Sequence, residues 1–121
     1  MAVSLYTIAV DAHDVKALAD FWTQVLDWQI VYEDPEEIII GADASAMPGI
    51  VFLRVPENKT IKNRLHLDLN PEDQQAEVDR LIALGARPVD VGQGPEVTWR
   101  VLADPEGNEF CVLRPKQTLL G

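Results

Sequence analysis

The sequence predicts an α+β fold: two β-α-β-β-β modules forming a curled mixed sheet around a cavity, with the helices outside. Three observations predict it. The order strand, helix, strand, strand, strand occurs twice along the chain, each time over roughly 50 residues. Aligning the halves sets Thr7 opposite His66, Asp14 opposite Asp73, and the helix starting at Val15 opposite the helix starting at Gln74. Each half has one amphipathic helix, which covers one face of its sheet only, so the other face needs a partner. Two curled sheets turned toward each other supply that partner and enclose a cavity. The chain is expected to be a single domain, with module 1 at about 4–55, a linker at 56–62 and module 2 at about 63–114.

The elements follow in order. Ser4 to Val10 alternates as a strand, with Tyr6, Ile8 and Val10 on one face and Leu5, Thr7 and Ala9 on the other. Asp14 is placed to cap a helix whose apolar stripe is Val15, Leu18, Ala19, Trp22, Val25 and Leu26. Gln29 to Tyr32, Glu36 to Ile40 and Ile50 to Val55 are the next strands, the first two separated by the turn signal Asp34-Pro35. In the second half, Arg64 to Leu69 is a strand. Pro71-Glu72 opens a helix that carries Ala76, Val78, Leu81, Ile82 and Leu84, and Gly85 closes it. Ala86 to Val91 holds Pro88 and belongs at a sheet edge. Thr98 to Ala103 and Glu109 to Leu113 are the last strands. Between them, Asp104-Pro105-Glu106-Gly107-Asn108 is a turn sequence rather than a catalytic one.

Composition narrows the function. The chain has 121 residues, enough for one domain with a real core. Twenty acidic residues against 10 basic give a formal charge of −10, which disfavours nucleic acid and anionic lipid as partners. Cys111 is the only cysteine, so no disulfide can form within the chain. No stretch approaches the roughly 20 apolar residues of a membrane span, and the start of the chain has no basic region. A cytoplasmic location is the expectation.

The most informative stretch is Asn63-Arg64-Leu65-His66-Leu67-Asp68-Leu69. Read as a strand, it sends Leu65, Leu67 and Leu69 to the helix and Arg64, His66 and Asp68 to the opposite face. An imidazole there can be a ligand, a base or a hydrogen-bond donor. His66 and Asp68 lie about 6.5–7 Å apart at their bases on an extended strand, so direct contact between them is one arrangement and separate roles another. Phe110 and Val112 should face the helices, which turns Cys111 toward the cavity. Trp22 belongs to the helix stripe and to the core, while Trp28 and Trp99 are candidates for an aromatic pocket wall. Lys59, Lys62 and Arg64 form a small basic cluster. Arg64 shares the parity of His66 and can take a carboxylate or phosphate on a ligand; the alternative is pairing with Glu57 or another carboxylate.

The motifs Phe21-Trp22 with Val25-Leu26-Asp27-Trp28, Val55-Pro56-Glu57-Asn58-Lys59, Lys62 to Asp68, and Asp104 to Cys111 together resemble the glyoxalase/bleomycin-resistance/dioxygenase superfamily, also called vicinal oxygen chelate. Within it they look like the actinobacterial glyoxalase-like subgroup. The resemblance implies the two-module fold, a small-molecule ligand and, in metal-dependent members, His, Gln or Glu ligands on the first strand of each module and Glu at the end of the last. Carried onto this chain, those positions are Thr7, His66 and Cys111, with the first-half equivalent of the last near Phe52 or Arg54. Only His66 matches. One imidazole and one thiolate are fewer than the three ligands a zinc or iron site needs, and Glu109 or Asp68 would have to complete it.

The expectation is therefore a glyoxalase-like small-molecule-binding protein, with lyase or isomerase chemistry if it is an enzyme. His66 is the candidate catalytic residue. Arg64, Asp68, Trp28, Trp99, Thr7 and Arg54 are the candidate ligand-binding residues, and His66, Cys111 and Glu109 the candidate metal ligands. The cofactor is either none or one divalent metal ion. The alternative is a non-catalytic module that sequesters an apolar or aromatic compound. Sheet edges that need protection favour a homodimer.

Overall fold

The structure, a computed structural model, describes residues 2–121; Met1, counted into the domain from the sequence, lies outside the described residues. It is an α+β fold of two helices and two mixed four-stranded sheets. The chain divides into two compact units, the first ending at Asn58 and the second running from Lys59 to Gly121.

The first unit contains β1 (Thr7–Ala12), α1 (Val15–Leu26), β2 (Gln29–Glu33), β3 (Glu37–Gly41) and β4 (Gly49–Arg54). Helix α1 starts where Asp14 accepts a hydrogen bond from the Ala17 N–H at 3.1 Å. It ends at Asp27, whose φ of 54° is left-handed, a conformation that aspartate tolerates better than most residues. The sheet order is β1-β4-β3-β2, with β1 parallel to β4 and the other pairs antiparallel. In register, Ile8 pairs with Ile50 and Val10 with Phe52, while Ile38 and Ile40 pair with Phe52 and Ile50. These side chains therefore share one face. It packs with Leu18, Phe21, Trp22 and Val25 of α1 to form the core, and Trp22 is buried in it. Gly49 is required where β4 begins, since a Cβ there would stand 2.8 Å from the Ile40 carbonyl oxygen.

The second unit contains β5 (Asp68–Leu69), α2 (Gln74–Leu84), β6 (Arg87–Pro88), β7 (Arg100–Ala103) and β8 (Glu109–Val112). Asp73 caps α2 by accepting from the Ala76 N–H at 3.0 Å, and Gly85 closes it with φ 125°. The sheet order is β5-β8-β7-β6, with β5 parallel to β8. Strand β6 lies at the edge, where Pro88 removes no needed donor. Leu102 pairs with Phe110, and Leu69 and Arg100 pair with Val112. Buried Leu102, Phe110 and Val112 form this core with Val78 and Leu81 of α2. The turn after β7 is organised by Asp104, only 1% exposed, which accepts hydrogen bonds from the Glu106 and Asn108 N–H groups and from the Asn108 amide.

One expected strand is much shorter than its pattern. Residues 64–67 alternate on paper, but only Asp68 and Leu69 are strand. The Asn63 N–H donates to the Glu109 side chain at 2.8 Å rather than to a neighbouring strand. Leu65, expected against the helix, is 72% exposed. No burial holds the alternation there, and pairing begins only where the Leu67 carbonyl accepts from the Cys111 N–H at 2.9 Å. The strand expected over 86–91 likewise contracts to Arg87–Pro88, with one further bond beyond it from the Val89 N–H to the Val101 carbonyl. Among the described residues no helix is long and apolar enough to cross a membrane.

Candidate functional site

The site lies in the second unit, on the sheet face turned away from α2. Register places it there: Cys111 pairs with Asp68 on one side and Val101 on the other, so the three share that face. A pocket of about 300 Å³ opens over it. Its polar end is formed by Lys62, His66, Asp68, Glu109 and Cys111. Its wall is Val91, Trp99, Val101 and Leu113, an apolar surface with an aromatic ring.

At the polar end three donors converge. One ligand atom each from His66, Asp68 and Cys111 lies within 4.8 Å of the others. His66 Nδ1 is 3.1 Å from Asp68 Oδ1, so the two side chains do meet, and Asp68 also accepts from the Cys111 thiol. Burial pushes that thiol up to about 11; the Asp68 carboxylate adds to the shift and the Lys62 ammonium opposes it. Cys111 is therefore a thiol at neutral pH, a hydrogen-bond donor rather than a nucleophile.

Glu109 lines the same pocket but is already engaged. Its Oε1 accepts from the Asn63 N–H at 2.8 Å and lies 2.9 Å from Lys59 Nζ, which also donates to Oε2 at 2.9 Å. Burial works against its charge, yet the Asn63 N–H and the Lys59 ammonium outweigh it and hold the carboxyl below its ordinary range. The residues brought together as donors are thus His66, Asp68 and Cys111, with Glu109 spent on the segment that precedes β5.

The other candidate residues are dispersed. Arg64 is exposed on a bend and does not line the pocket, because the strand that would have given it the parity of His66 is absent. Thr7, Trp28 and Arg54 belong to the first unit. Thr7 is the half-buried first residue of β1, paired with Gly49; Trp28 is half-buried just after α1. Arg54 ends β4 and lines a separate pocket of about 440 Å³ with His13, Lys16, Glu33 and Asp34. Val101 and Leu113 had not been singled out, although the parity of Cys111 points to both. Val91 lies in a loop that carries no such pattern.

The donor set fits a divalent cation. Nitrogen, carboxylate oxygen and sulfur from three side chains are donor types that a zinc-type site uses. Such an ion would have to displace the thiol proton.

The family model of the glyoxalase-like domain matches residues 7–113, and the chain belongs to that family. A search of curated protein sequences finds no match. Among solved structures, a glyoxalase/bleomycin resistance protein/dioxygenase family enzyme from Burkholderia phytofirmans is 22% identical with a TM-score of 0.71, covering 94% of this chain and 100% of that one. The fosfomycin resistance protein FosX from Listeria monocytogenes, in complex with Mn(II) and a dihydroxypropylphosphonic acid, is 15% identical with a TM-score of 0.73, covering 97% and 94%. The antibiotic-binding protein TnmS3 from Streptomyces is 20% identical with a TM-score of 0.65, covering 96% and 99%. At these identities the likeness shows the fold.

Proposed function

We propose that this domain binds a small molecule in the pocket of its second unit. The carrying observation is the convergence of His66, Asp68 and Cys111 at one end of a pocket whose wall is Trp99, Val91, Val101 and Leu113. The apolar wall takes the body of the ligand, and the polar end takes its functional group. That relatives of this fold bind an antibiotic, or a phosphonic acid beside Mn(II), supports the reading.

The three-donor set also favours a second reading, in which one divalent ion sits at His66, Asp68 and Cys111 and the domain is a lyase or isomerase. When bound, the ion would polarise a substrate oxygen. The chain's own contribution is His66, in one of two roles: a ligand to the ion, or, with Asp68 holding the imidazole at Nδ1, the base whose Nε2 accepts a proton from a carbon next to a carbonyl. A cytoplasmic homodimer is the assembly this reading assumes, and light scattering tests the oligomeric state.

Elemental analysis of protein purified without chelator, beside His66→Ala, separates the two readings. About one equivalent of metal per chain, absent from His66→Ala, supports the metal-assisted enzyme. No metal above background, even after incubation with Zn²⁺ or Mn²⁺, sinks it and leaves a metal-free binding pocket. Ligand binding itself is tested by NMR titration: a set of small aromatic compounds of which none shifts the Trp99 indole signal would overturn the pocket assignment.

A further inference from the structure

The charges around this pocket are unevenly satisfied, and the imbalance identifies a ligand class; the argument rests on the pocket assignment above. Both carboxylates at the polar end already have partners. Glu109 is held by Lys59 and the Asn63 N–H, and Asp68 by His66 and the Cys111 thiol. The cations are not all matched. Lys59 is spent on Glu109, whereas Lys62 lines the pocket and, among the described residues, makes no ion pair or hydrogen bond. The apolar wall is also incompletely covered: Trp99 is 40% exposed and Val91 37%.

We propose that the ligand is a small ring-bearing molecule with one carboxylate, that its ring lies on Trp99 and Val91, and that Lys62 receives its carboxylate. A charged group on the ligand is worth most where it meets an unmatched opposite charge beside apolar surface, since no existing partner has to be displaced. A cationic ligand would meet Lys62 and find both carboxylates already paired. A multiply charged anion would meet one ammonium and the repulsion of the whole acidic chain. The sequence pattern pointed to Arg64 for this role; the bend at 64–65 takes Arg64 away from the pocket and leaves Lys62 on its lining.

The test uses the full chain as purified, with 1-naphthoate and its uncharged analogue 1-naphthamide as probes. Binding is followed by the Trp99 indole and Val101 amide signals in ¹⁵N NMR spectra, which also report that each variant is folded. Naphthoate is expected to bind roughly fivefold tighter than the amide in the native chain. Lys62→Met should bring the two probes to equal affinity, and Lys62→Arg should keep the preference. Equal affinity of acid and amide in the native chain, or a preference that survives Lys62→Met, overturns the proposal and leaves the pocket standing. If neither probe moves the Trp99 signal, the pocket assignment fails first and this inference with it.

Discussion

The two units share one topology and differ in how much sheet they build. In the first, β1 and β4 run parallel over six paired residues, Thr7 with Gly49 through Ala12 with Arg54. In the second, the corresponding strands β5 and β8 pair over two, Asp68 with Cys111 and Leu69 with Val112. The long ladder commits its backbone to hydrogen bonds and its side chains to strict alternation. The short one leaves the chain from Lys59 to Leu67 irregular. That irregularity lets Asn63 and Lys59 anchor on Glu109 and lets His66 bend back onto Asp68. One arrangement thus serves two ends: a complete sheet where packing dominates, and a shortened one where side chains must converge over a sheet face.

The comparison breaks most visibly in the cores. Phe52 and Phe110 are each 1% exposed on the helix-facing sides of their sheets. Replacing either with alanine is expected to cost about 3–5 kcal/mol in urea denaturation. A loss below about 1 kcal/mol for Phe110→Ala alone would mean that the short sheet does not pack as firmly as the long one.

The next effect belongs to the Glu109 anchor. Glu109→Gln should cost about 2 kcal/mol near neutral pH, because two charge-assisted bonds are lost. Its folded carboxyl lies below the ordinary 4.5, so the stabilisation is complete above 4.5 and is lost as pH falls through the folded value. The variant should therefore lose stability less steeply on acidification than the native chain. Asp34 and Asp43 in the first unit, both lowered from 3.8 and chiefly by the Tyr32 hydroxyl and the Ser45 N–H respectively, act with the same sign, so part of the acid sensitivity remains.

A smaller change tests the donor cluster. Cys111 should react slowly with iodoacetamide at pH 8, since burial first and Asp68 second push the thiol to about 11. Asp68→Asn removes the second cause and should speed the reaction by roughly threefold to tenfold. An unchanged rate would show that burial alone controls the thiol. Least of all is expected from Arg64→Ala, exposed and outside the pocket: stability within about 0.5 kcal/mol and naphthoate affinity unchanged. A weakened affinity would return the anion-binding role to Arg64.

What the sequence made legible follows from the range of the forces involved. The helix starts at Asp14 and Asp73, the stop at Gly85, the edge position of Pro88 and the Asp104 turn depend on contacts a few residues apart, and their signals are local. Alternation also separated Cys111 from Phe110 and Val112 correctly, since β8 is a true strand. The same rule failed at 64–67. There the competing interaction is a side chain 46 residues away that captures the Asn63 N–H, and no local pattern announces it. The exchange of Arg64 for Lys62 in the pocket lining, and of Asp68 for Glu109 among the converging donors, both trace to that capture.

The bond between Asn63 and Glu109 also sets an order in time. Both partners of the short ladder, and both ends of the anchor, belong to opposite ends of the second unit. As the chain leaves the ribosome, His66 and Asp68 emerge before β8, the strand with which Asp68 pairs. The short ladder closes only after β8 has followed them out, because parallel pairing of distant segments cannot begin before the later one exists. A nascent chain halted anywhere before Glu109 therefore carries two of the three converging donors and no site.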